Sequence, residues 1–130
     1  MTLFKPVNEK KASAKVKKIF NTIKKERKIK FIPNFWKTIA NDPDTLERTW
    51  TSLNQVMKKG ALDSLTKELI YIAVSMTNSC EYCIRSHSAA AKKKGMTEKM
   101  LKELIAIVGM ANETNKLVES YQVEVDSFLK

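Results

Sequence analysis

Apolar residues recur at helical spacing along most of this chain, and caps, prolines and glycines mark the breaks between the runs. Val16, Ile19, Phe20 and Ile23 predict a first helix over about residues 9–26, with Asn8 as its cap. Pro33 ends the connection that follows, and Phe35, Trp36 and Ile39 fit a short turn of helix. Asn41 and Asp42 precede Pro43 at a first helical position. Leu46, Trp50, Leu53 and Met57 then recur at intervals of four, three and four, until Lys58, Lys59 and Gly60 supply a basic last turn and a stop. Asp63 caps the next helix, whose centre from Leu69 to Met76 is apolar on every side, the pattern of a helix buried all round. Asn78 and Ser79 break it, and a further helical segment runs from Cys80 through Lys94 to a stop at Gly95. Thr97 caps a long C-terminal region with Leu101, Leu104, Ile105 and Val108 on one face and Leu117, Tyr121, Val125 and Phe128 on another. A bend or break is expected there at Gly109 and Asn112. The predicted fold is all-α: a compact helical domain of about five to seven helices with a central helix hairpin and no strand.

Composition narrows this picture. At 130 residues and 43% apolar, the chain has the size of one domain, residues 1–130, with a single core. Three Gly and three Pro argue against disordered or hairpin-rich structure. No run approaches the ~18 consecutive apolar residues of a membrane span. The N-terminus, MTLFKPVNEKKASAK, lacks the apolar stretch of a secretory signal, so a cytoplasmic location is expected.

The net charge of +10 is unevenly placed. Residues 1–30 hold eleven Lys or Arg against Glu9 and Glu26, while the rest of the chain is nearly neutral. These cations are Lys except Arg27, and they interleave with the apolar positions of the first helix. That is the solvated face of an amphipathic helix; the Arg forks and stacking aromatics of a nucleic-acid site are missing, and no nucleic-acid partner is expected.

Both cysteines and the sole histidine fall within eight residues. On a helix, Cys80, Cys83 and His87 are separated by three and four residues and share one face. A lone histidine near a cysteine is ordinarily a packed core residue, but this clustering favours chemistry. If the helices flanking Asn78 fold back on one another, Glu68 and His87 each lie about nine residues, ~14 Å, from the turn and face one another. Glu68 heads a fully apolar helix, where a carboxylate either reaches out at the edge or has a partner.

A thiol attacks only as thiolate; a nearby imidazole can take and return its proton, and a carboxylate behind the imidazole holds its tautomer. Cys80, at a helix start, is favoured by the macrodipole, whereas Cys83 is closer to His87, so spacing leaves the attacking sulfur open. In a reducing compartment such a pair is catalytic or metal-binding more often than structural. Cβ atoms three apart on a helix sit ~5–6 Å away against the ~3.8 Å of a disulfide, so closure requires loosening of the first helical turn and gives a strained, reducible bond.

The run from Glu68 to His87, ELIYIAVSMTNSCEYCIRSH, resembles the alkyl hydroperoxidase D type proteins of the carboxymuconolactone decarboxylase superfamily, in the branch that contains Cys-x-x-Cys. The likeness extends over about residues 45–110 and hardly touches the lysine-rich N-terminus. It implies an all-α fold, assembly into homotrimers or hexamers, and a peroxidase activity in antioxidant defence that needs no cofactor. It implies Cys83 as peroxidatic, Cys80 as resolving, His87 as general base and acid, and Glu68 as proton relay. The implied partners are an organic hydroperoxide or hydrogen peroxide and a thiol or lipoyl-type protein reductant. Tyr82 departs from relatives with a histidine between the cysteines, so proton transfer through that position does not carry over. Decarboxylases of the superfamily lack the cysteine pair, which argues against that reaction here.

Other readings of the same residues are a general thiol-disulfide oxidoreductase, a zinc module ligated by Cys80, Cys83, His87 and Glu68, and a structural protein acting through the lysine-rich helix. Covalent haem of the usual type is excluded because Ile84 follows Cys83. Trp36, Trp50 and the methionines fit apolar helical faces and are expected in the core.

Overall fold

The computed structural model describes residues 2–130. Its helices are α1 (Ala14–Arg27), α2 (Asn34–Ile39), α3 (Pro43–Met57), α4 (Ser64–Thr77), α5 (Glu81–Lys93) and α6 (Glu98–Ser120), with single 3-10 turns at Glu9–Lys11 and Ser127–Leu129. There is no strand among the described residues, so the fold is all-α as expected. No helix among them is long and apolar enough to cross a membrane.

The chain divides into two compact units, residues 1–56 and 57–130. The buried apolar side chains form one cluster in each, where composition suggested a single core. No residue between Trp50 and Glu68 is buried.

In the first unit Val16, Phe20 and Ile23 of α1 pack with Ile32, Trp36, Ala40, Leu46 and Trp50. The two tryptophans meet edge to face with centroids 5.1 Å apart, and the Arg27 guanidinium lies over both rings at 5.2–5.3 Å. The first helix is shorter than its periodicity suggested. Asn8 caps only the 3-10 turn, and α1 starts afresh after Ser13, whose hydroxyl accepts from the Val16 N–H. Glu9 is drawn into a tie of its own: its carboxylate accepts from the Ile32 N–H at 3.2 Å and pairs with Lys24 at 2.5 Å.

In the second unit, α4 and α5 form the expected hairpin and α6 packs on α4. Its core holds Ile72, Ala91, Met96 and Leu104, with Leu65, Leu69, Ala73 and Met76 packed against it. Each helix begins with a side-chain cap: Asp63 to the Thr66 N–H, Cys80 to the Cys83 N–H, and Thr97 to the Met100 N–H. The expectation that α4 is buried all round is corrected. Ile70 and Val74, one turn apart, are 48% and 54% exposed in the single chain, because α5 and α6 cover only its other sides.

The break expected at Gly109 and Asn112 is also absent: α6 is continuous through both. An interior glycine weakens a helix by only about 1 kcal/mol. The Asn112 amide, which would otherwise compete with the backbone, donates to Val108 O at 2.7 Å and to Thr77 Oγ1 at 3.1 Å. The helix stops instead at Ser120, so Tyr121, Val125 and Phe128 do not continue an α-helical face and are exposed.

Candidate functional site

The turn between α4 and α5 sets the site. Asn78 closes α4 with its N–H on Val74 O, and Ser79 takes a left-handed conformation at φ 56°. This residue reverses the chain so that the Cys80 N–H reaches back to Ser75 O at 2.9 Å. That bond ties the start of α5 to α4, and the buried Ser75 hydroxyl donates within α4 to Tyr71 O at 2.7 Å.

Cys80 therefore sits as the N-cap of α5, with φ −88° and ψ 87°, outside the helix proper. Its Sγ accepts from the Cys83 N–H at 3.3 Å, and the two cysteines are joined by a disulfide with Cα atoms 5.3 Å apart, within the span that such a bond bridges. The non-helical cap residue is what allows closure between positions three apart, in line with the loosened first turn anticipated from the sequence. Both cysteines are partly exposed. The free N–H groups and positive end of α5 lie at these sulfurs, an environment that stabilises a thiolate once the bond is reduced.

Across the hairpin, His87 Nδ1 lies 2.7 Å from Glu68 Oε2. The other carboxylate oxygen, Oε1, accepts from Lys94 Nζ at 2.6 Å. Glu68 is 4% exposed, and its two partners are the reason a charge survives there. Burial pushes its carboxyl up, but the hydrogen bonds from His87 and Lys94 and the Lys94 charge outweigh burial and hold it below the ordinary carboxylate value. An ionised Glu68 only accepts, so the proton of a neutral His87 resides on Nδ1 and Nε2 keeps its lone pair. Tyr71 stacks on the imidazole with centroids 3.7 Å apart and planes 23° from parallel, fixing the ring from its face.

Of the four residues singled out in the sequence, the structure brings Glu68 and His87 together as one pair and Cys80 and Cys83 together as another. Within α5, His87 follows Cys83 by one helical turn. In the oxidised state neither sulfur is hydrogen-bonded to the imidazole. Lys94 and Tyr71 were not anticipated. Their spacing holds a signal, since Lys94 lies two turns after His87 and Tyr71 one turn after Glu68, so that each shares a face with a residue already singled out. The zinc arrangement is not assembled: the sulfurs are bonded to one another, and no cluster of three or more His, Cys, Asp or Glu among the described residues is placed to hold a metal ion.

A family model described as the carboxymuconolactone decarboxylase family matches residues 43–123. A solved structure, described as the alkylhydroperoxidase AhpD core from Rhodospirillum rubrum, is similar over 100% of this chain and 98% of its own, with a TM-score of 0.93 and 45% identity. Two curated proteins match over shorter stretches. Uncharacterized protein 4 in the cox locus of Paracoccus denitrificans is 40% identical over 50 residues, and uncharacterized protein YdfG of Bacillus subtilis is 37% identical over 49. The match spans 38% of this chain in each case, and 45% and 33% of those two proteins.

Proposed function

Because the chain belongs to the carboxymuconolactone decarboxylase family, we propose that it is a thiol-dependent peroxidase of the alkyl hydroperoxidase type that cycles between a Cys80/Cys83 dithiol and the disulfide. The observation that carries this reading is the disulfide at the mouth of α5, one turn before an imidazole whose Nδ1 is held by a buried carboxylate. The likeness to the alkylhydroperoxidase core over the full chain supports it.

In the proposed cycle the Cys83 thiol gives its proton to His87 Nε2, with Glu68 stabilising the imidazolium through Nδ1–H. The thiolate attacks the terminal oxygen of the hydroperoxide. The O–O bond breaks, the leaving alkoxide takes the proton back from His87 and departs as an alcohol, and Cys83 becomes a sulfenic acid. The Cys80 sulfur then attacks Cys83, water leaves, and the disulfide forms. A dithiol reductant, such as a lipoyl group on a partner protein, attacks the disulfide and restores both thiols. The partly exposed cap sulfur of Cys80 is the one that reductant meets. The exposed stripe of Ile70 and Val74 supports assembly with further copies of the chain.

A general thiol-disulfide oxidoreductase is the second reading, favoured by the position of Cys80 at a helix N-terminus. The two separate by rate. Reduced protein mixed with one equivalent of cumene hydroperoxide loses both thiols and releases one cumyl alcohol per disulfide formed, much faster than it reduces a model protein disulfide. Thiols that survive the hydroperoxide while exchanging rapidly with the protein disulfide contradict the peroxidase reading and favour the second.

A further inference from the structure

Glu68 commits its two oxygens to two different nitrogen donors, His87 Nδ1 at 2.7 Å and Lys94 Nζ at 2.6 Å. The side chains of Glu68 and His87 are 6% and 15% exposed, while that of Lys94, at 35%, reaches the site from its rim. The root of Lys94 is fixed by the end of α5. Its N–H donates to Ala91 O at 3.0 Å, Gly95 turns the chain at φ 103°, and the Met96 N–H returns to the same carbonyl at 2.9 Å, with the Met96 side chain anchored in the core. A cation at the C-terminal end of a helix also opposes the negative end of its dipole.

A buried carboxylate facing only an imidazole is balanced when that imidazole is charged, because an unpaired buried charge is costly. Here the balance comes from the other side. We propose that Lys94 is a positioning residue whose ammonium, seated on Glu68 Oε1, neutralises the carboxylate so that His87 remains uncharged, protonated on Nδ1 and open at Nε2 to receive a proton. Glu68 then orients the ring without drawing it into a fixed ion pair. A permanently protonated His87 would stabilise a thiolate but could not take its proton.

The groups facing this trio are few. Tyr71 from α4 stacks on the imidazole, and Lys94 and His87 are the groups acting most strongly on Glu68. Glu103 of α6 lines the separate apolar groove beside Leu69, Ile70 and Ala73. Lys92 and Lys93, on the last turn of α5, are exposed, and the joined cysteines carry no charge. How the base is used rests on the peroxidase reading; the charge balance itself does not.

His87 is the only histidine, so one imidazole signal in the NMR spectrum of the full chain reports its titration without any peroxide. In the disulfide form, Lys94→Met and Lys94→Gln move its midpoint upward by about one pH unit, the size expected of a like charge a few ångströms away after solvent screening. Lys94→Arg, which keeps the charge, holds the midpoint near that of the parent. An unmoved or lowered midpoint in the Met and Gln variants overturns the assignment. In reduced protein the pH at which hydroperoxide oxidation reaches half its maximum moves with the imidazole. If the thiols are inert to hydroperoxide while the midpoint still moves, the peroxidase reading fails and the role of Lys94 stands; the reverse pattern removes Lys94 and keeps the peroxidase.

Discussion

At the scale of single residues, Glu68 is a buried carboxylate shared between two nitrogen donors. Glu68→Gln keeps the shape of the side chain but removes the acceptor charge that fixes the His87 tautomer and leaves the Lys94 ammonium without its partner. Thiol oxidation by an organic hydroperoxide is expected to slow by about 100-fold, the usual scale of a lost proton relay, in a stopped-flow assay at pH 7. An unchanged rate would remove Glu68 from the chemistry. Cys80, Cys83, His87 and Glu68 are legible in the sequence because they are rare or misplaced: the chain has two cysteines and one histidine, and Glu68 heads an apolar helix. Lys94 was not legible, since it is the last of three consecutive lysines and nothing in composition distinguishes it from Lys92 and Lys93. Tyr71 was hidden in the apolar run from Leu69 to Met76, where an aromatic ring reads as core.

At the scale of elements, two glycines separate backbone need from backbone tolerance. Gly95 turns the chain at φ 103° behind α5, a conformation that L side chains avoid, and no neighbouring atom lies within 4 Å of a Cβ placed there. Gly95→Ala is therefore expected to destabilise through the backbone alone, by about 1–2 kcal/mol in urea unfolding. Gly109 lies inside α6 with open space around it, and Gly109→Ala is expected to stabilise by about 0.5–1 kcal/mol. The same sign for both substitutions would contradict this distinction. Helix starts read well from sequence wherever a cap residue precedes an apolar run, as at Ser64 after Asp63 and Glu98 after Thr97. The end of α6 did not, because Leu117, Tyr121, Val125 and Phe128 keep helical spacing past Ser120 without any packing to support it. The start of α1 was missed for a related reason: the competing cap at Ser13 carries no apolar signal.

At the scale of the whole molecule, the ion cluster ties stability to pH. The native pKa of Glu68 lies below its ordinary value of 4.5, so its contribution to stability is whole above that value and is lost as pH falls below it toward the lowered native pKa. Between pH 7 and pH 3.5 the urea midpoint of the parent should fall further than that of Glu68→Gln, in which this titration is absent; equal losses would mean the cluster adds nothing. The family model spans residues 43–123 and the likeness to the solved all-α structure spans the full chain, while the curated relatives overlap it only in part, and so the redox cycle must be established on this protein directly. The decisive measurement is the intact mass of reduced Cys80→Ser and Cys83→Ser proteins after one equivalent of organic hydroperoxide in the presence of dimedone. Adduct formation in Cys80→Ser and none in Cys83→Ser is the result predicted, because in the proposed cycle only Cys83 carries the sulfenic acid. Adduct in neither variant, with both remaining thiols intact, would contradict the peroxidase cycle at its first step.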